Sequence, residues 1–138
     1  MYLLDSNVIS EDYKSLKQKA NLGVVDFFQD VEPQEMFVSA ISILELQKGI
    51  LLKERKDPQQ GARLRDCFEN KILPTYQGRI LPISTEVALR CAHLHVPNPK
   101  SAFDSLIAAT ALTHDLIVVT RNIADFDTTG VKLLNPFI

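Results

Sequence analysis

Apolar residues in this chain come in short runs separated by longer stretches with helical spacing, and the two patterns alternate from end to end. Tyr2 to Leu4 is a brief apolar run ending in Asp5-Ser6-Asn7, which predicts a strand followed by a turn. Residues 10–20 are polar and fit a helix or a loop. Leu22, Val25, Phe27 and Phe28 mark a helix over 22–29, and Pro33 interrupts the chain beyond it. Residues 36–38 form a second short strand that closes at Ser39. A long helix follows over 41–56, with Pro58 past its end, and another covers 61–69 or beyond, stopping before Pro74. Ile80, Leu81 and Ile83 around Pro82 read as a strand at a sheet edge. Residues 86–94 are helical, Pro97-Asn98-Pro99 breaks that helix, and 101–114 form the next. The clearest strand is 116–119, continuous and β-branched; 132–134 form a last one, stopped by Pro136.

Strands alternating with helices predict an α/β fold of three layers, a central parallel sheet with helices on both faces. Function in such folds gathers beyond the carboxyl ends of the strands. Asp5, Ser39 and Thr120 all fall at those ends.

Four acid-bearing places stand out because each is embedded in apolar sequence. They are Asp5, Glu45 in Ser42-Ile43-Leu44-Glu45-Leu46, Asp104 in Phe103-Asp104-Ser105-Leu106-Ile107, and Asn122 with Asp125 in Thr120-Arg121-Asn122-Ile123-Ala124-Asp125. A carboxylate removed from water needs a partner, and several sharing one site repel one another unless a cation holds them. The set therefore points to hard divalent metal ions and metal-assisted phosphodiester chemistry. Each member also has an ordinary reading. Asp5 fits a turn or a helix cap. Glu45 and Asp104 each stand three residues after a serine, Ser42 and Ser101, in capping-box spacing. Glu45 could also pair with Lys48, although Ser39 is the more natural cap of its helix. Asp125 fits turn chemistry. His93, His95 and His114 lie near helix ends and read as structural.

The totals narrow the picture further. The 138 residues fit one domain, 1–138, and 46% hydrophobic content with five glycines and seven prolines supports a packed core and excludes disorder. Cys67 and Cys91 match no metal or redox spacing and read as reduced cytoplasmic thiols. Asp5 comes too early for a secretion signal, and no apolar run reaches the ~20 residues of a membrane span. A net charge of −2 argues against indiscriminate nucleic-acid coating. It does not argue against a nuclease, whose acids inflate the negative count until metal neutralises them. Positive charge is local: Lys48, Lys53, Arg55, Lys56, Arg63 and Arg65 form either a solvated helix face or a grip on a nucleic-acid backbone.

The chain resembles the PIN-domain ribonucleases, in particular the VapC/FitB-like toxins of bacterial toxin–antitoxin pairs. The resemblance is carried by Leu3-Leu4-Asp5-Ser6-Asn7-Val8-Ile9-Ser10, Ser39 with Glu45-Leu46-x-x-Gly49, and Asp104-x-x-Ile107-Ala108-Ala109-x-Ala111. Val119-Thr120-Arg121-Asn122-x-x-Asp125-Phe126 and the closing Gly130-Val131-x-Leu133-x-Asn135-Pro136-Phe137 complete it. It implies a parallel sheet between helices, a Mg²⁺- or Mn²⁺-dependent endoribonuclease, a homodimer, and a small antitoxin that blocks the site. It also implies roles: Asp5 and Asp104 as metal ligands, Glu45 completing the acidic cluster, and Asn122 or Asp125 in the fourth place with Thr120 nearby. Glu45 or Asp125 would activate water, and Arg121 or the basic stretch after Glu45 would hold RNA. Ser6 stands where threonine is usual, which keeps the hydroxyl. Asn122 stands where some members have aspartate, which leaves the site's charge and a second metal open.

Two other readings compete. A phospho-acceptor domain on a similar sheet would use Asp5 as nucleophile, but it needs a further acid beside Asp5 and a well-placed late lysine, and Lys132 is poorly placed. A catalytically weak PIN-like module that binds RNA or a partner would tolerate Asp5→Asn and Asp104→Asn without functional loss.

Overall fold

Side chains alternate across the central strands, and the alternation divides the core in two. In the computed structural model, which describes residues 1–14 and 19–138, β1 (Tyr2–Leu4) pairs in parallel with β2 (Met36–Ser39) and β4 (Ile117–Val119). Leu3 lies opposite Phe37 and Val118, and Leu4 opposite Val38 and Val119. Successive strand residues face opposite sides. Leu4, Val38 and Val119 accordingly pack with Val8, Phe27, Ile50 and Tyr76 on one face. Leu3 and Val118 pack with Ile107, Ala108, Ala111 and Phe126 on the other. β3 (Ile80–Leu81) and β5 (Leu133–Leu134) complete a five-stranded parallel sheet in the order β3-β2-β1-β4-β5. The three-layer α/β architecture expected from the pattern is present, with β3 at an edge.

The chain starts at the middle strand, builds to one side, then returns to build on the other. The order reverses between β1 and β4, and such a switch point leaves a crevice at the carboxyl ends of the two strands. Asp5 and Thr120 are the residues that follow β1 and β4 there.

α1 (Ser6–Asp12), α2 (Leu22–Asp30), α4 (Pro58–Cys67) and α5 (Leu73–Tyr76) cover the first face, α6 (Thr85–Leu94) and α7 (Ala102–His114) the second. The long α3 (Ala40–Lys56) serves both, through Ile50 and Ile41. α4 crosses close to α3 at Gly61, where a Cβ would stand 2.6 Å from Glu54 Cα. Only a residue without a side chain permits that approach.

The structure corrects three details. The helix expected to stop before Pro74 starts at Pro58 and continues to Tyr76 through a π-helical turn, Phe68–Ile72. The Leu73 N–H reaches back to Phe68 O, and Pro74 falls in the first turn of α5, where its missing N–H costs nothing. The turn expected at Asp5-Ser6-Asn7 is instead the start of α1, with Asp5 as its cap. The clearest strand, expected from residue 116, begins at Ile117, because Asp115 ends α7 with a left-handed backbone (φ 54°) and the Leu116 N–H bonds to Ala111 O. The segment 10–20 is helical as far as Asp12, and its residues 15–18 lie outside the described residues.

Candidate active site

Asp5 is built into the crevice by the ends of both central strands. Its N–H continues the ladder to Val119 O at 2.9 Å. Its extended backbone caps α1, with Oδ1 accepting the Ser6 N–H at 2.8 Å. Oδ2 accepts the Thr120 hydroxyl at 2.7 Å and the Asn7 amide at 3.2 Å. The Thr120 oxygen in turn accepts the Asn122 N–H at 3.0 Å and the Asn7 amide at 3.4 Å, so its one donor and both lone pairs are in use. Asn7 Oδ1 accepts the Arg121 N–H at 3.1 Å, tying the α1 start to the chain after β4. Asp5 is 4% exposed, and burial pushes its carboxyl above the usual range despite these bonds, with the Asp125 charge adding to the rise.

Glu45 reaches the same space from α3. Ser39 caps that helix by accepting the Ile41 N–H at 3.0 Å, so the capping-box reading of Ser42 and Glu45 does not hold. Glu45 forms no salt bridge among the described residues, Lys48 included. Its Oε1 is buried with no hydrogen-bond partner. Burial first, then the charges of Asp5 and Asp104, push its carboxyl up to about 7, against the pull of the Ser6 hydroxyl and Lys48.

Asp104 lies in the first turn of α7. Burial raises its pKa, and the charges of Asp125 and then Asp5 raise it further, while Ser101 opposes them. The Ser101 side chain makes no capping bond to the helix backbone. The turn is held instead from Ser105, whose hydroxyl meets Ser101 O at 2.7 Å and Ala102 O at 2.9 Å. His95 closes the arrangement: Nδ1 accepts the Lys100 N–H at 3.2 Å, which leaves Nε2 as the donor to Ser105 Oγ at 2.8 Å. His95 is thus structural, as expected of a histidine at a helix end, but the structure it holds is the mount of Asp104. The sequence offered little to separate it from His93 and His114.

Asn122 and Asp125 part company. Asp125 ends a short 3₁₀ turn, Ile123–Asp125, and its charge acts on both Asp5 and Asp104. Asn122 instead lines a groove with Ser6, Asn7 and Glu45. The structure therefore gathers Asp5, Glu45, Asp104 and Asp125 into one electrostatic cluster, with Asn122 beside it.

Among the described residues no three carboxylate, histidine or cysteine side chains close into a ligand cage. An open all-oxygen cluster still suits Mg²⁺ or Mn²⁺: Mg²⁺ keeps most of its water and binds through one or two carboxylates. The orphaned Glu45 Oε1 and the mutual repulsion of the acids are what a divalent cation would relieve.

The PIN domain family model matches residues 2–132, nearly the whole chain. The chain belongs to the PIN-domain family. It is 36% identical over 142 residues to Toxin FitB of Neisseria gonorrhoeae, covering 99% of each protein. It is 32% identical over 146 residues to VapC ribonuclease Y4jK of Sinorhizobium fredii, covering 99% of this chain and 98% of that one. The crystal structure of FitAcB from Neisseria gonorrhoeae contains a chain that superimposes with a TM-score of 0.88 at 34% identity, covering 99% of this PIN domain and 98% of that chain. No helix among the described residues is long and apolar enough to cross a membrane.

Proposed function

We propose that this PIN domain is the toxin of a type II toxin–antitoxin pair and a Mg²⁺- or Mn²⁺-dependent endoribonuclease. The carrying observation is the acid cluster at the switch point of the sheet, with Glu45 raised to about 7 by burial and then by the charges of Asp5 and Asp104. The relatives named as a toxin and as a ribonuclease, matched over almost their full length, support the reading.

Asp5 and Asp104 would hold the ion. Bound there, it supplies charge neutralisation at the scissile phosphate and a lowered pKa for water. Asp5 is fixed by its four neighbours and presents one geometry. Glu45, raised by burial and by the other acids and without a protein partner on Oε1, would accept the proton of the attacking water. The water oxygen would bond to phosphorus as the bond to the leaving ribose oxygen breaks, and that oxygen would take a proton from solvent. Asp125 holds negative charge opposite Asp5 and Asp104 and so strengthens cation binding. Asn122, with the Asn7 amide, lines the approach. A cognate antitoxin would block this cluster in the cytoplasm, and the active toxin would be a homodimer.

Purified protein, freed of any bound partner, is incubated with labelled total RNA in Mg²⁺, Mn²⁺ or chelator, beside Asp5→Asn. Discrete fragments that require metal and vanish in the variant support the reading. Equal patterns from variant and wild type in every metal would replace it with an RNA- or partner-binding module.

A further inference from the structure

The segment after β5 leaves the sheet beside the acid cluster and runs from there to the start of α2. The Thr120 N–H bonds to Leu134 O at 3.0 Å, so Asn135 begins next to the chain that carries Thr120, Arg121 and Asn122. Asn135 Oδ1 accepts the Phe137 N–H at 3.0 Å, the two-residue reach by which an asparagine closes its own turn. Pro136 fixes the backbone inside that turn. The Phe137 ring is thereby set half-buried against the core of the first face. The Arg121 guanidinium carbon stands over the ring, 5.1 Å from its centroid, where the face of an aromatic ring attracts a cation.

Asn21 ties the segment down. Its Oδ1 accepts the Ile138 N–H at 3.1 Å and the Gly23 N–H at 2.9 Å, and its Nδ2 donates to Ile138 O at 2.9 Å. Its own N–H goes to Glu11 Oε2 at 2.9 Å, which joins the anchor to α1. The approach is close: a Cβ on Gly23 would collide with Pro136 O, so only glycine fits there. The Ile138 side chain is 86% exposed while both its backbone groups are bound. Asn21 therefore holds this end of the segment by its backbone, with no apolar anchor. Lys14 first, then the Asn21 N–H and the Arg121 charge, hold the Glu11 carboxyl below its usual range against burial. Arg121 is thus drawn toward α1 as well as onto the ring.

Arg121 meets the acid cluster through its backbone. Its N–H donates to Asn7 Oδ1 at 3.1 Å, which leaves Asn7 Nδ2 facing Asp5 Oδ2 at 3.2 Å and Thr120 Oγ1 at 3.4 Å. An asparagine amide offers an acceptor on one side and donors on the other. Turned over, it would set its oxygen against the Asp5 carboxylate and its NH₂ against the Arg121 N–H. The Arg121 N–H therefore decides which side Asp5 meets. We infer that Phe137 is a positioning residue for Asp5: anchored through Asn21, its ring holds Arg121, and the Arg121 N–H keeps the Asn7 amide donating to the carboxylate. The inference rests on the nuclease reading for Asp5 as a metal ligand. Packing alone would not need this ring, since leucine also fills space on the core but offers no π face to a guanidinium.

The test compares Phe137→Leu and Phe137→Tyr with wild type, each freed of any bound partner. Proton–nitrogen correlation spectra of the metal-free protein read the Asn7 side-chain amide, assigned by its loss in Asn7→Ala. Calorimetry reads Mg²⁺ affinity, and labelled RNA reads cleavage. In Phe137→Leu the Asn7 amide signals should move toward those of a free asparagine side chain. Mg²⁺ should bind about threefold more weakly, the size of an exposed cation–π contact and less than the loss of a direct partner of the ligand. Cleavage should fall with it and recover as Mg²⁺ is raised. Phe137→Tyr keeps the π face and should match wild type in all three. In an Arg121→Met background, Phe137→Leu should change neither the Asn7 signals nor Mg²⁺ affinity further, because the ring acts through the guanidinium. A lower melting temperature in Phe137→Leu with unchanged Asn7 signals and Mg²⁺ affinity would make the ring a packing residue and overturn the inference. An effect of Phe137→Leu that persists in full without Arg121 would overturn it too. Wild type that neither binds Mg²⁺ nor cleaves, with Asn7 signals that still follow the ring, would sink the nuclease reading and leave Phe137 holding Asn7 against Asp5. Metal-dependent cleavage that requires Asp5, with Asn7 signals indifferent to the ring, would do the reverse.

Discussion

Asp5 and Glu45 look into the same space from opposite sides, and their surroundings differ. Asp5 comes with both oxygens occupied: Ser6 on Oδ1, Thr120 and Asn7 on Oδ2, all supplied by the two strand ends that make the crevice. Glu45 comes on a helix, with Oε1 buried and bare and its carboxyl raised to about 7. In the proposed nuclease the difference would separate two tasks that a row of acids in a sequence cannot separate. A ligand must keep one geometry and stay charged, which hydrogen bonds to the carboxylate provide. A proton acceptor must change state near neutral pH, which burial among like charges provides.

Asp5→Asn should break this comparison most severely. It removes a charge and sets an amide donor against the donors already aimed at one of the two oxygens. Several kcal/mol of metal-dependent stabilisation disappear with it, so cleavage should fall by about 10³-fold. The rise in melting temperature that Mg²⁺ gives the wild type through binding to the folded state should vanish as well. A variant with normal cleavage, or with normal Mg²⁺ stabilisation, would remove Asp5 from the ion.

Glu45→Gln tests the other half. Cleavage should fall by about 10²-fold, the lower range for loss of a general base. The acid limb of the wild-type pH–activity profile should flatten in the variant. Without metal, the folded wild type binds a proton at Glu45 that the unfolded chain has released above its ordinary value of 4.5. That contribution to stability is fully present below 4.5 and is lost as pH rises through about 7. The neutral glutamine escapes the loss. At pH 8 in chelator it should melt higher by on the order of 2–4 °C, modest because solvent screens a partly exposed carboxyl, and the gain should disappear near pH 4. A pH-independent difference would mean that Glu45 does not titrate in this range.

Thr120→Val sharpens the description of Asp5 as prewired. Valine keeps the volume but leaves Oδ2 short of its closest donor and leaves the Asn122 N–H without an acceptor. Losing such support of a ligand lowers metal affinity by about 10-fold. Stability should fall by about 1–3 kcal/mol, the cost of leaving buried polar groups unpaired. Calorimetry for Mg²⁺ and thermal melts report the two effects separately.

Much of this arrangement was legible in the sequence because local chemistry and topology agreed. Short β-branched runs alternating with helical stripes specify a parallel sheet, and residues directly after such strands arrive at one end of it, which placed Asp5, Ser39 and Thr120. The legible part ended where contacts between distant segments decide. Pro74 looks like a helix stop until a π-helical turn lets the chain absorb its missing N–H. Asn122 and Asp125 are equivalent in a string of letters, but the 3₁₀ turn sends one to the acids and leaves the other on the groove. His95 has no neighbours in sequence that mark it, since its partners are Lys100 and Ser105 across a proline-rich turn.

His95 therefore gives the smallest and most informative break, because it reaches neither Asp5 nor Glu45 directly and acts on the third carboxylate through Ser105. In His95→Ala the Lys100 N–H loses its acceptor and Ser105 Oγ loses its imidazole partner, while Ser105 retains its bonds to Ser101 and Ala102. One net hydrogen bond is worth about 1 kcal/mol, so melting should drop by only a few degrees. If the histidine matters for stability alone, cleavage measured well below the melting transition should match the wild type. If it fixes the start of α7, Asp104 acquires freedom: Mg²⁺ should bind a few-fold more weakly and cleavage should fall in step, recovering as Mg²⁺ is raised. Asp5→Asn should show no such recovery. A rigid corner can lose a support and be compensated by more metal, whereas losing the ligand itself cannot.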